Sequence, residues 1–167
     1  LDDPRYGAEG GDMMAVADPD SLREVAWADD TVAVFTDLTN VDHSPFDLCA
    51  RGALRRVIDD LGSEGFHPFA GVEAEFSVLQ PDGDGDWEPY NTRCSYDMSA
   101  VDMADDLVRA WSDAMETAGS SVLGIHQESQ PGQYEVNIEY DDALTTADSL
   151  MFFRHAAKAI ARNREMK

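Results

Sequence analysis

Residues 69–79 read FAGVEAEFSVL, with Val72, Ala74 and Phe76 on alternate positions and Glu73 and Glu75 between them. Successive side chains of a strand point to opposite faces, so the pattern predicts a strand with one apolar and one acidic face. The same alternation runs through residues 133–140, where Tyr134, Val136, Ile138 and Tyr140 share one face and Gln133, Glu135, Asn137 and Glu139 share the other. Residues 122–127 predict a neighbouring strand, joined to it through ESQPG at 128–132.

Elsewhere the period lengthens. Ala53, Leu54, Val57, Ile58 and Leu61 predict a helix over 51–61, ended by Gly62 or Gly65. Ala104, Leu107, Val108, Trp111, Met115 and Ala118 predict a second, closed by Gly119, and residues 143–162 a long third, capped by Asp141 or Asp142. Upstream, residues 1–11 read as a loop without an initiator Met, 13–16 as a short strand stopped by a turn at 18–20, and 31–37 as a buried strand rich in β-branched residues. The order of elements suggests an α+β or mixed arrangement around a largely antiparallel sheet, with a boundary near 62–68.

The charge balance changes what such a domain can bind. Asp plus Glu number 34 against 12 Lys plus Arg, a formal net charge of -22, and the chain has only two lysines, Lys158 and Lys167. Phosphate backbones and anionic membrane surfaces are attracted by basic patches, so nucleic-acid and membrane partners are excluded. The acid is spread along the chain rather than gathered in a tail, which suits a source in concentrated salt, where screening shortens to about 3 Å at 1 M. No apolar run long enough to span a bilayer and no signal-peptide layout occur, so the expected compartment is the cytoplasm. Cys49 and Cys94 fit no metal or redox spacing and read as free buried thiols.

Glu73 and Glu75, two residues apart on one strand face, stand about 7 Å from each other. On a solvated face they are ordinary surface acids. Facing inward they repel, a conflict that a divalent cation removes, since Mg²⁺ and Mn²⁺ favour oxygen ligands. Glu128 and Glu135, brought towards each other by the Pro131-Gly132 turn, add two carboxylates on neighbouring strands, which makes a metal-lined cavity plausible without deciding it. The run DGDGDWEPYN at 82–91 opens like a calcium-binding loop, but Trp87 stands where Gly is needed and Arg93 where a bidentate Glu is needed. It reads as a solvated turn. Of the scattered histidines only His126 lies near the carboxylates, on the face it shares with Glu128, as a polar contact or a ligand.

These motifs carry a resemblance. GVEAEF at 71–76, followed by HQESQPGQYEVNIEYDDALTTADSLMFFRHAAKAIA at 126–161, resembles the glutamine synthetase family, which includes γ-glutamyl-amine and polyamine ligases. The segment from Gly11 to Leu38 looks like that family's amino-terminal β-grasp region. The resemblance implies a β-grasp-like part over 1–66, then over 67–167 the first part of a guanido-kinase-like catalytic domain with a curved, largely antiparallel sheet and flanking helices.

It also implies roles. Glu75, Glu128 and Glu135 would hold a Mg²⁺ or Mn²⁺ beside the substrate glutamate, with Glu75 and Glu128 on the substrate side, and Glu73 would help hold the metal on the ATP phosphates. Asp12 matches an aspartate near a neighbouring subunit's ammonia site. Asn137 and Glu139 carry no implied role and are expected further from the metals than Glu135. The implied activity is ATP-dependent amide formation on the γ-carboxylate of glutamate through γ-glutamyl phosphate, with ammonia as acceptor, in a homo-oligomeric ring. Another amine as acceptor, or a non-catalytic member, are the alternatives.

The match is incomplete. The family's downstream Gly-rich phosphate segment, metal-binding histidine and arginines have no counterpart here, nor has the Asp-Gly-Ser-Ser segment expected before Asp12. Leu123 and Gly124 stand where a nucleotide-contacting Glu is expected, and CAR replaces DPR at 49–51. The chain is therefore expected to be a piece of the enzyme, inactive alone.

Overall fold

The computed structural model describes residues 12–93 and 95–167, so the readings placed on residues 1–11 and on Cys94 lie outside the described residues. The chain divides into two units, one of residues 1–22 and 34–68, the other of 23–33 and 69–167. Residues 23–33 thus stand with the second unit, whereas the sequence reading places them within 1–66.

In the first unit β1 (Met13–Ala17) pairs antiparallel with β4 (Thr36–Asn40), Met13 opposite Asn40 and Ala17 opposite Thr36. The turn after β1 tightens into a short 3-10 helix, Pro19–Ser21, with Asp18 accepting from the Asp20 N–H at 3.2 Å. α1 (Ala50–Ser63) is capped by Cys49, whose sulfur accepts from the Gly52 N–H at 3.2 Å. Arg51 and Arg55 both reach Asp18 and Asp37: Arg51 at 2.5 and 3.0 Å, Arg55 at 2.5 and 2.9 Å.

The strand expected over 31–37 is broken in two, β3 (Val32–Ala33) and β4. The backbone of Phe35 explains the break. Its N–H donates to the Ser21 hydroxyl at 2.9 Å and its carbonyl accepts from the Asp18 N–H at 2.9 Å, so its ladder bonds go to the turn at 18–21.

In the second unit β2 (Arg23–Glu24) pairs with β3, and Arg23 anchors them. Its guanidinium is buried and donates to the Ser120 hydroxyl at 2.9 Å and the Ser149 hydroxyl at 3.1 Å, while Trp27 lies against Phe152 with ring centroids 5.2 Å apart. The main sheet is antiparallel, ordered β5 (Phe69–Ser77), β9 (Gln133–Asp142), β8 (Val122–Gln127). β6 (Leu79–Pro81) and β7 (Trp87–Pro89) form a hairpin whose turn is closed by the Asp82 carboxylate accepting from the N–H groups of Asp84 and Asp86.

One face of the main sheet is the core. Tyr134, Val136 and Ile138 are buried against α3 (Asp105–Thr117), through Leu107, Trp111 and Met115, and α4 (Ala143–Arg162), through Phe152, Phe153 and Ile160. Edge-on ring contacts tie the layers: Phe76 to Trp111 at 5.1 Å, Phe76 to Phe153 at 5.7 Å and Trp111 to Tyr134 at 5.6 Å. The helix expected over 104–118 is extended upstream by α2 (Met98–Met103), capped by Asp97, with Ala104 as the joint. α4 starts on Asp142, whose carboxylate accepts from the N–H groups of Leu144 and Thr145. With its apolar face occupied by the helices, the sheet turns its acidic face outward.

Candidate metal centre

The register of the sheet converts strand alternation into a row. Glu75 on β5 stands opposite Glu135 on β9, and Glu135 stands opposite His126 on β8, so three side chains cross the sheet side by side. Strands are spaced by about 4.8 Å, so Glu135 on the central strand has Glu75 beside it on one side and His126 on the other. Glu128 enters from the end of β8. The imidazole Nε2 of His126 lies 3.1 Å from Glu128 Oε1 and 3.6 Å from Glu135 Oε2. One donor atom each from His126, Glu128 and Glu135 fall within 4.8 Å of one another.

The β8–β9 turn sets Glu128. Its N–H donates to the Gln133 carbonyl at 2.8 Å, and Gly132 follows Pro131 with φ of +67°. A Cβ at Gly132 would meet the Val78 carbonyl oxygen at 2.8 Å and the Tyr90 nitrogen at 3.1 Å, so both the backbone conformation and the close approach require glycine.

Glu128 is a well-held carboxylate. Ser129 donates to Oε2 through its N–H at 3.1 Å and its hydroxyl at 3.2 Å, and the Tyr96 hydroxyl donates to Oε1 at 3.2 Å. Burial works to raise its pKa; the hydrogen bonds from His126, Ser129 and Tyr96 outweigh it and hold the carboxyl below its ordinary value. The charge of Glu128 in turn pushes the Tyr96 phenol up. Glu128 and Glu135 are each 9% exposed, although they lie on the face of the sheet that the helices leave uncovered.

The other residues singled out by sequence lie differently. Glu73 sits one step along β5, opposite Asn137, and Glu139 is exposed further along β9. Among the described residues Asn137 Oδ1 is buried without a hydrogen-bond partner. Asp12 is an exposed residue of the first unit, immediately before β1. Two contributors were not singled out by the sequence: Tyr96, which carries an unusual φ of +58°, and Gln133, which donates to Glu75 Oε2 at 2.8 Å. No spacing rule links residue 96 to 128. Gln133 lay in the polar row, but nothing in the row distinguished it.

Two carboxylates nearly excluded from water, a third beside them and an imidazole form a donor set of oxygen and nitrogen that suits Mg²⁺ or, with the imidazole, Mn²⁺. A cavity of about 630 Å³ lies between β5 and α4; its walls are mainly apolar, with Phe76, Trp111 and Phe153 lining it, and Glu75 stands on its rim.

Residues 47–167 match the family model described as glutamine synthetase, catalytic domain. Over 155 residues the chain is 32% identical to a glutamine synthetase of Pyrococcus furiosus, covering 93% of this chain and 35% of that protein. Over 157 residues it is 34% identical to that of Methanococcus maripaludis, covering 92% and 35%. The chain thus spans about a third of the length of the curated relatives it matches. Among solved structures it is similar to apo GmaS, with a TM-score of 0.84 and 30% identity over 94% of this chain and 38% of that one. It shares the fold of the glutamine synthetase of Plasmodium falciparum, with a TM-score of 0.80 and 16% identity over 96% and 38%.

Proposed function

The chain belongs to the glutamine synthetase family, and from that premise we propose that it supplies the metal-holding carboxylates of an ATP-dependent ligase that forms an amide on the γ-carboxylate of glutamate. The observation that carries the reading is the convergence of His126, Glu128 and Glu135, with donor atoms within 4.8 Å of one another, and Glu75 standing opposite Glu135 on β5. A domain without a cation to bind gains nothing from withdrawing Glu128 and Glu135 from water beside each other, which speaks against a non-catalytic member.

In this reading Glu75, Glu128 and Glu135 hold a Mg²⁺ or Mn²⁺ next to the substrate glutamate, and Glu73 serves the metal on the nucleotide phosphates. When bound, such a cation neutralises the charge that accumulates on the transferring phosphoryl oxygens. The protein groups act by position. Ser129 and Tyr96 fix the Glu128 carboxylate, and His126 bridges towards Glu135, so the oxygens stand ready without reorganisation. ATP would phosphorylate glutamate to γ-glutamyl phosphate, which ammonia then attacks with release of phosphate. Asp12 would serve the ammonia site of a neighbouring subunit in a ring-shaped cytoplasmic homo-oligomer. The first unit would be the β-grasp-like part and the main sheet the beginning of the curved catalytic sheet.

The experiment is ATP-dependent γ-glutamyl transfer by the whole protein that contains this chain, with ammonia and putrescine as competing acceptors. Glutamine formation that disappears in Glu135→Ala supports the reading; preferential use of putrescine moves it to an amine ligase. Unchanged turnover in Glu135→Ala and Glu128→Ala overturns the metal assignment. The 167-residue chain alone is expected to show no turnover.

A further inference from the structure

Three of the four groups at the row are immobilised by burial or by several contacts. Glu75 is different. It is exposed, on the edge strand of the sheet, and has three rotatable bonds between its backbone and its carboxylate. Among the described residues one hydrogen bond holds that carboxylate, from Gln133 Nε2 to Oε2 at 2.8 Å. Gln133 stands opposite Ser77 in the register, so its side chain reaches diagonally across β5 to a residue two positions along.

Gln133 is itself fixed at both ends. Its N–H donates to the Gln130 carbonyl at 3.0 Å, its carbonyl accepts from the Glu128 N–H at 2.8 Å, and its side-chain Oε1 accepts from the Gln130 N–H at 3.0 Å. The amide orientation is therefore unambiguous: a main-chain N–H can only donate, so Oε1 faces Gln130, and a carboxylate can only accept, so the NH₂ faces Glu75. With Oε2 tied, Oε1 of Glu75 remains as its available donor.

We propose that Gln133 is a positioning residue for the metal centre, which transmits the geometry of the β8–β9 turn to Glu75 and restricts where that carboxylate stands beside Glu135. The same turn places Glu128, so one backbone segment sets carboxylates on both sides of Glu135. This inference rests on the metal reading given above. It adds to it a residue that touches no metal and acts through Glu75. Outer partners of this kind change metal affinity by roughly ten- to a hundredfold.

The test is Mn²⁺ binding to the chain, followed by electron paramagnetic resonance, in the parent, Gln133→Leu, Glu75→Ala and the double variant. Gln133→Leu is expected to weaken binding about tenfold and to add nothing in the Glu75→Ala background. An equal loss in both backgrounds overturns the proposal, because Gln133 would then act through the turn and not through Glu75. The reading beneath it fails separately: a parent that binds no Mn²⁺, or binding unaffected by Glu135→Ala, removes the metal centre.

A second measurement needs no metal. Gln133→Met keeps the length of the side chain, adds no charge and removes the donor to Glu75. In the metal-free chain the side-chain carboxyl ¹³C resonance of Glu75 is expected to shift in this variant more than that of Glu135. A Glu75 resonance that stays in place overturns the positioning role, whatever the metal titration gives.

Discussion

Glu75 and Glu135 are direct cross-strand partners, two carboxylates facing each other from β5 and β9 on the outward face of the sheet. Like charges directly opposite each other destabilise a sheet. Glu135→Gln is therefore expected to raise the thermal midpoint of the metal-free chain. Millimolar Mn²⁺ is expected to raise the midpoint of the parent and leave that of the variant nearly unchanged, because an ion that binds only the folded state stabilises by mass action. Differential scanning calorimetry with and without the ion reads both effects.

The turn at Gly132 is the next sensitive point. Its positive φ, and the 2.8 Å that would separate a Cβ there from the Val78 carbonyl oxygen, leave no room for a side chain. Gly132→Ala is expected to cost about 2 kcal/mol from backbone strain and the forced shift. Urea unfolding measures the loss, and weakened Mn²⁺ binding is expected with it because the turn places both Glu128 and Gln133.

Tyr134 supplies a buried polar test on the opposite face of the same strand. Its hydroxyl accepts from Asn91 Nδ2 at 2.8 Å and donates to the Ala100 carbonyl at 3.1 Å. Tyr134→Phe leaves both partners unsatisfied and is expected to cost about 1 to 3 kcal/mol. Burial pushes the phenol up to about 12 from 10.0. Its contribution is intact below pH 10, where neither state ionises, and is lost as pH rises from there towards 12, since only the unfolded tyrosine has released its proton. The variant is expected to show a shallower alkaline fall in stability than the parent.

Acid stability in the first unit is expected to depend on Asp18. The Arg51 guanidinium is the main cause of its lowered pKa, with burial opposing and Arg55 assisting. A depressed carboxyl stabilises the fold above its ordinary value of 3.8 and loses that contribution as pH falls through the lower folded value. Asp18→Asn is expected to cost about 2 kcal/mol at neutral pH and to flatten the acid limb of the stability profile. The α1 signals of a urea titration followed by nuclear magnetic resonance report on this unit.

Salt is expected to stabilise the chain as a whole. With a formal net charge of -22, self-repulsion is strong when screening extends over about 10 Å at 0.1 M and weak when it shortens to about 3 Å at 1 M. A midpoint that rises steadily from about 0.1 M KCl into the molar range is the expected outcome, and a flat response removes the case for adaptation to salt.

What the sequence by itself determined was what depends on local periodicity. The strands at 122–127 and from 133 onward, the helix Ala143–Arg162 and the split between apolar and acidic faces follow from which side of a strand or helix each residue occupies. The motifs around Glu73, Glu75, Glu128 and Glu135 pointed to the family, which the match over 47–167 supports. The break at Phe35 was not legible, because the groups that take its hydrogen bonds, Asp18 and Ser21, lie in a distant turn. Nor was the register, which sets Glu75 against Glu135 and Glu135 against His126. Alternation fixes the face of a side chain but not its partner across the strand; a slide of two residues keeps every face and changes every neighbour. Only tertiary structure, through the turn at Gly132 and the packing of Phe76, Trp111 and Tyr134, selected the register that brings these carboxylates together and gave Tyr96 and Gln133 their places beside them.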